Sequence, residues 1–357
     1  MTTGAFGTAC NRRSRHWLLL AGTLFAMLAG GCESLSYYAQ SVNGHLSLMA
    51  ARTDIQTLLD DPDTESLLRD KLSHVLAIRD FASAELALPD NDSYRSYVDV
   101  GSPYVVWNVV AAPEFSLRPK TWCFLVVGCL AYRGYYERSR AADFAESHRV
   151  QGYDVYVGGS RAYSTLGWFD DPLLNTMLNQ TEAELAAVVF HELAHQVLYI
   201  NDDTAFNESF AVAVEREGVA RWLAERNDQQ SLADFSASQE RDQRLIELLL
   251  DGRNRLGVLY ERELKAESMR EMKRSILESL REDYEASNLG VEYAGWFDAN
   301  LNNAKLALVA TYWEWVPAFQ HMLREQDGDM QAFYRAVLEL SGDATGARHE
   351  YLDRLAR

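Results

Sequence analysis

Apolar positions fall into three regimes along the chain. Over residues 36–88 they sit at helical spacing, as in Leu67-Leu68, Leu72 and Val75-Leu76, which predicts helices with an extended exit near Pro89. Over residues 95–160 Tyr, Val and Trp dominate, in runs such as Tyr104-Val105-Val106-Trp107 and Tyr153-Asp154-Val155-Tyr156-Val157. Bounded by glycine and proline, these runs predict strands. From Thr181 onward the chain reads as almost wholly helical. Leu245, Leu249, Leu256, Leu259, Met272, Ile276 and Leu280 recur at helical steps with charges of both signs between them. That pattern predicts a long amphipathic helix or a helical hairpin packed on the body. The fold class expected is therefore α+β, predominantly α-helical, with a small β-sheet ahead of a helical mass.

Composition narrows the function classes. A chain of 357 residues forms one large domain or two intimate ones. Its 48% hydrophobic content exceeds what a disordered chain carries. There are 52 acidic against 34 basic side chains, a formal net charge of −18. A nucleic-acid partner needs a basic footprint, so none is expected. No internal repeat at a solenoid period is present.

The first 31 residues carry Arg12, Arg13 and Arg15, no acid, and then the apolar run Trp17–Gly31. That run is shorter than the roughly 20 residues that span a bilayer, so it reads as a secretory signal peptide over 1–31. Ala29, Gly30 and Gly31 precede Cys32. The arrangement resembles a bacterial lipobox, although that pattern prefers leucine where Ala29 stands. The resemblance implies that Cys32 is diacylated and becomes the new N-terminus, tethering the protein to a membrane by its lipid chains. Glu33, rather than aspartate, implies an outer-membrane anchor facing the periplasm. Cys10 leaves with the signal, so Cys123 and Cys129 remain. In an oxidising compartment they are expected to form a short-loop disulfide.

One segment stands apart. Thr181 and Glu184 have capping-box spacing, so a helix is expected to start there. Val188, Val189, Phe190, Leu193, Val197 and Ile200 make it apolar nearly all round, hence buried. His191 and His195, four apart, point the same way and can share one Zn²⁺. Glu192 lies beside them, where a carboxylate can take a proton from metal-bound water: the H-E-x-x-H arrangement. Such polar groups inside an apolar helix are costly to bury without a task.

A catalytic zinc needs a third protein ligand and an open position. A second helix is expected around Phe210, Val212, Val214, Val219 and Trp222, and it carries Glu208 and Glu215 on one face. One can ligate while the other holds a ligating imidazole by its outer N–H. Gly218 on that face permits close helix approach.

His191-Glu192-Leu193-Ala194-His195-Gln196 followed by Asn207-Glu208-Ser209-Phe210-Ala211 looks like the large zinc aminopeptidases, which are gluzincins. This resemblance implies Glu208 as the ligand, Glu215 as its support and a zincin-like core. Only 12 residues separate His195 from Glu208, fewer than in those enzymes, and the thermolysin interval would land on Glu215. The Gly-x-Met-Glu-Asn motif that binds the substrate amine in them is missing here; Asp170, Asp171 and Glu217 are unselected acidic candidates. Most of residues 31–340 also resembles a bacterial family of lipoproteins labelled aminopeptidases. The shared pieces are Gly31-Cys32, Tyr37-Tyr38, Trp122-Cys123 through Cys129, Tyr132-Arg133-Gly134-Tyr135, the stretch from Tyr163 to Pro172, and Phe206 to Ala211.

The expected organisation is a mature domain over 32–357, with an α/β part (32–180), zinc-binding helices (181–226) and a helical part (227–357). The expected function is zinc-dependent peptide hydrolysis with one Zn²⁺ per chain, by Glu192-assisted attack of zinc-bound water, and aminopeptidase action on a peptide substrate. Tyr312 or His321 would supply the oxyanion donor. The stretch Val155–Phe169 would supply an edge strand for substrate, with Tyr163 and Trp168 lining the pocket. The rival from another class is a non-catalytic zinc-binding envelope lipoprotein acting as a scaffold.

Overall fold

The computed structural model describes residues 36–124, 128–298 and 301–356. The signal segment and Cys32 lie outside them. Helix α1 (36–50) belongs to a first unit, residues 1–50, and the remaining elements all belong to a second, residues 51–357. In that second unit strand β1 (Thr53–Asp54) leads into α2 (Ile55–Asp60), where the Asp54 side chain accepts from the Thr57 N–H at 3.0 Å. Helix α3 (Ser66–Glu85) buries Leu72, Val75, Ile78, Phe81 and Ala82.

The predicted strand region contains β2 (Ser96–Val98), β3 (Val106–Pro113), the hairpin strands β4 (Trp122–Phe124) and β5 (Gly128–Leu130), then β6 (Arg133–Tyr135). It also contains a helix that periodicity did not predict, α4 (Arg138–Val150). Its buried face is Ala141, Ala145 and His148, too small and too polar to register as an apolar stripe. After it come β7 (Tyr153–Ser160) and β8 (Leu173–Leu174). Strands β6, β3 and β7 form an antiparallel sheet in that order, paired from Val106↔Ser160 to Pro113↔Tyr153, which leaves β7 at the edge. Strands β1, β2 and β8 form a second small sheet.

From Glu182 the described chain is helical: α5 (Glu182–Val197), α6 (Thr204–Glu225), α7 (Gln229–Tyr260), α8 (Ala266–Ser287), α9 (Asn303–Trp313), α10 (Val316–Glu325), α11 (Met330–Ser341) and α12 (Thr345–Leu355). The fold is α+β and predominantly helical, as the pattern predicts. The segment 245–280 is a hairpin, not one helix. Leu245, Leu249, Leu256 and Leu259 of α7 close on Met269, Leu277 and Leu280 of α8, with Met272 left on the exposed side.

Three local devices fix the helices that matter. The capping box is formed: the Glu184 carboxylate accepts from the Thr181 N–H at 2.8 Å, and Thr181 Oγ1 accepts from the Glu184 N–H at 3.3 Å. Asp203 caps α6 and is itself buried, gripped by Arg348 at 2.7 Å and His349 at 2.9 Å from α12. Gly218 sets the approach of α6 to α5. A Cβ there would fall 2.6 Å from Phe190 Cδ2 and 2.7 Å from Leu86 Cδ1. Gly218→Ala is accordingly expected to destabilise the fold by about 1–3 kcal/mol through overpacking, read as a lowered urea midpoint at unchanged m-value.

Candidate metal centre

Helix α5 presents His191 and His195 one turn apart, and α6 presents Glu208 and Glu215 two turns apart toward them. The Nε2 atoms of the two histidines are 3.2 Å apart. Glu208 Oε2 lies 3.2 Å from His191 Nε2 and 3.6 Å from His195 Nε2. A tetrahedral ion with bonds of about 2.0–2.1 Å sets its donors about 3.3–3.4 Å apart along each edge. The three observed separations bracket that value, so His191, His195 and Glu208 form a group that could hold a metal ion. The donor chemistry, two imidazole nitrogens and a carboxylate oxygen, suits a borderline divalent cation.

The outer face of the site is built as well. His191 Nδ1 lies 3.0 Å from Glu215 Oε2, which fixes the ring with its Nε2 turned toward Glu208. His195 Nδ1 is buried with no hydrogen-bond partner among the described residues. Burial alone would raise the Glu208 carboxyl, but hydrogen bonds and charges from His191 and His195 hold it down at about 2. Burial likewise works against the charged form of His191, yet Glu208 and Glu215 raise it well above its ordinary value. Two acidic groups thus hold an anionic pocket against the rings, the environment a cation relieves.

Glu208 is tethered on both sides by residues whose roles the sequence does not announce. Asn207 Oδ1 accepts from the Ile200 N–H at 2.9 Å and its Nδ2 donates to the Ile200 carbonyl at 2.8 Å, closing the α5–α6 connection. Ser209 Oγ lies 3.4 Å from the Trp315 N–H, tying α6 to the start of α10. The same connection is held from the other side: the Cys129 N–H donates to Asp202 Oδ1 at 2.5 Å. Cys123 and Cys129 face each other across β4 and β5 and are joined in the structure.

A pocket of about 820 Å³ opens beside His191. His191, Glu192 and Glu215 form one wall, and Tyr156, Gly159 and Ser160 from β7 form another. Gly159 is required there, since a Cβ would lie 2.3 Å from the Tyr104 ring that closes over the strand. Among the described residues the Glu192 carboxylate has no hydrogen-bond or ion-pair partner, although it borders the pocket. Tyr312, on α9, lies near both acidic groups. Burial first, then the Glu208 carboxylate, with Tyr132 and Glu192 adding to it, pushes its phenol well above the ordinary value.

Other residues singled out in the sequence lie elsewhere. Neither Tyr163 nor Trp168 lines the pocket; Tyr163 packs on Tyr136 with ring centres 6.0 Å apart, and Trp168 is 71% exposed. His321 sits on α10 and pairs with Glu325 at 3.5 Å. Asp171 is buried, accepts from the Thr165 N–H at 2.9 Å and is pushed up to about 6 chiefly by that burial. Glu217 is paired with Arg221 at 2.7 Å.

A family model described as "Putative aminopeptidase" matches residues 36–352. Comparison with curated proteins and with solved structures finds no match.

Proposed function

The chain belongs to that aminopeptidase family, and from this premise we propose that it is a zinc-dependent metallopeptidase with a zincin-like core, lipid-anchored through Cys32 to the outer membrane and facing the periplasm. The observation that carries the proposal is the convergence of His191, His195 and Glu208 at tetrahedral edge lengths, next to a pocket-lining carboxylate that no other described residue engages. In this reading those three residues would hold the ion, and Glu215 orients the His191 ring. Bound zinc would lower the pKa of water and polarise a carbonyl.

The chain's own residues supply the rest. Glu192 accepts the proton of the water that attacks the scissile carbonyl carbon, and delivers it to the leaving amine nitrogen as the C–N bond breaks. The carboxylate ends as it began, so the cycle closes without another base. The Tyr312 hydroxyl is the donor for the carbonyl oxygen as charge builds on it. An extended substrate adds to the Gly158–Ser160 end of β7, the outer strand of its sheet, beyond Val155, whose carbonyl already accepts from Asn302. A purely scaffolding zinc site would have no use for a carboxylate held in the mouth of a pocket, and this favours the enzyme over the scaffold.

The test is digestion of a mixed peptide library by the zinc-loaded mature chain, with N-termini free in one set and acetylated in the other. Cleavage that stops on chelation and returns with Zn²⁺ is the expected result. Cleavage confined to free N-termini marks aminopeptidase action, and cleavage of both sets marks endopeptidase action. Undiminished cleavage after chelation would overturn the zinc assignment.

A further inference from the structure

The charged groups around the pocket differ in how far the protein already satisfies them. Lys305 Nζ donates to Asp298 Oδ1 at 2.7 Å and to the Gly295 carbonyl at 2.9 Å. Glu292 pairs with Arg241 at 3.7 Å, and Glu215 is engaged by His191. Two lining charges are left over. One is Glu192, and the other is Arg161, the residue directly after β7. Among the described residues the Arg161 guanidinium makes no hydrogen bond and no ion pair; the Tyr104 ring lies beneath it at 6.0 Å.

Its side chain is exposed at the pocket mouth, but its backbone is held. The Arg161 carbonyl accepts from Thr176 Oγ1 at 2.5 Å, and the preceding Ser160 Oγ donates to the Ala162 carbonyl at 2.8 Å. Tyr104 is in turn stacked edge-on against Trp107 at 5.0 Å, so the aromatic support for the guanidinium is itself packed. A planar fork of donors at the outer range of a cation–π contact, with no internal anion among the described residues, matches a carboxylate. The setting makes this informative, because the chain carries a net charge of −18 and acidic partners for an arginine are abundant. Conversely, no unpaired carboxylate other than Glu192 lines this pocket among the described residues to receive a substrate's free amine.

We propose that Arg161 binds a carboxylate of the substrate, so that the pocket selects peptides by a negative charge near the scissile bond. The charge comes from a peptide's C-terminus or from an Asp or Glu side chain, and this inference rests on the peptidase reading of the same pocket. Arg161 is a binding residue here, not a catalytic one.

The experiment measures binding by calorimetry to the zinc-loaded mature chain carrying Glu192→Gln, so that bound peptide is not consumed. The probes are tetra-alanine as the free acid, tetra-alanine amide, and that amide with one alanine replaced by glutamate. At least one of the charged probes is expected to bind about threefold more tightly than the plain amide, the size of an ion pair to an exposed guanidinium. The better of the two identifies the source of the carboxylate. Adding Arg161→Ala should bring the ratio to about one, and Arg161→Lys should restore part of it. A ratio that survives Arg161→Ala, a ratio of one in the parent protein, or no binding by any probe would overturn the proposal. Hydrolysis by the wild-type chain is scored separately. Charge-selective binding without hydrolysis leaves Arg161 assigned and the peptidase reading lost, whereas hydrolysis without charge preference does the reverse.

Discussion

Glu192→Gln is expected to lower kcat/KM for peptide hydrolysis by about 10²–10⁴-fold, the span of a general acid–base contribution, with zinc content unchanged. The substitution keeps shape and volume and removes only the ability to take up and return a proton. Metal content should hold because Glu192 is not in the converging group; that group is His191, His195 and Glu208. Stability should hold too, since the Glu192 carboxylate has no hydrogen-bond or ion-pair partner among the described residues to lose. The measurement pairs metal analysis with steady-state kinetics on one preparation of each protein. Equal rates in the two would remove Glu192 from the mechanism and, with it, the main argument against a scaffold.

The parts of this site that sequence makes legible are the ones written locally. Thr181 and Glu184 declare the start of α5 because a capping box is a three-residue interaction. His191 and His195 declare their common face because helical periodicity carries both to it. The choice between Glu208 and Glu215 is different in kind. Residues seven apart share a face, and which of them reaches the Nε2 atoms depends on how α6 crosses α5, a matter of Gly218, Phe190 and the Asn207 closure. Helix α4 carries no sequence signal because its alanines bury without an apolar stripe. The stretch Val155–Phe169 reads as strand throughout, but β7 ends at Ser160, and Leu166 and Gly167 take left-handed backbone conformations that leave the Trp168 indole exposed. Arg161 is invisible in sequence for the opposite reason. An arginine after a strand defaults to solvent, and its meaning appears only once Lys305 and Glu292 are seen to be satisfied.

Glu208→Ala and Glu215→Ala separate the ligand from its support. Glu208 contributes one of the three donors that converge among the described residues, buried between two rings at 3.2 and 3.6 Å, so its loss leaves two imidazoles and a cavity. Glu215 meets His191 on the far nitrogen at 3.0 Å, where its loss frees the ring to rotate but keeps all three donors. Removing such an outer partner weakens metal binding by about 10–100-fold. Glu208→Ala should exceed that range and lose zinc on gel filtration, while Glu215→Ala keeps it at micromolar free metal. The stability readout follows by mass action, since a ligand that binds only the folded state raises its melting temperature by an amount set by the ratio of free metal to Kd. Wild type should therefore show the largest zinc-dependent rise, Glu215→Ala a smaller one at the same free zinc, and Glu208→Ala none. If Glu215→Ala were the variant that lost its zinc response, the two roles would exchange, and the thermolysin-like interval from His195 would be the one this chain uses.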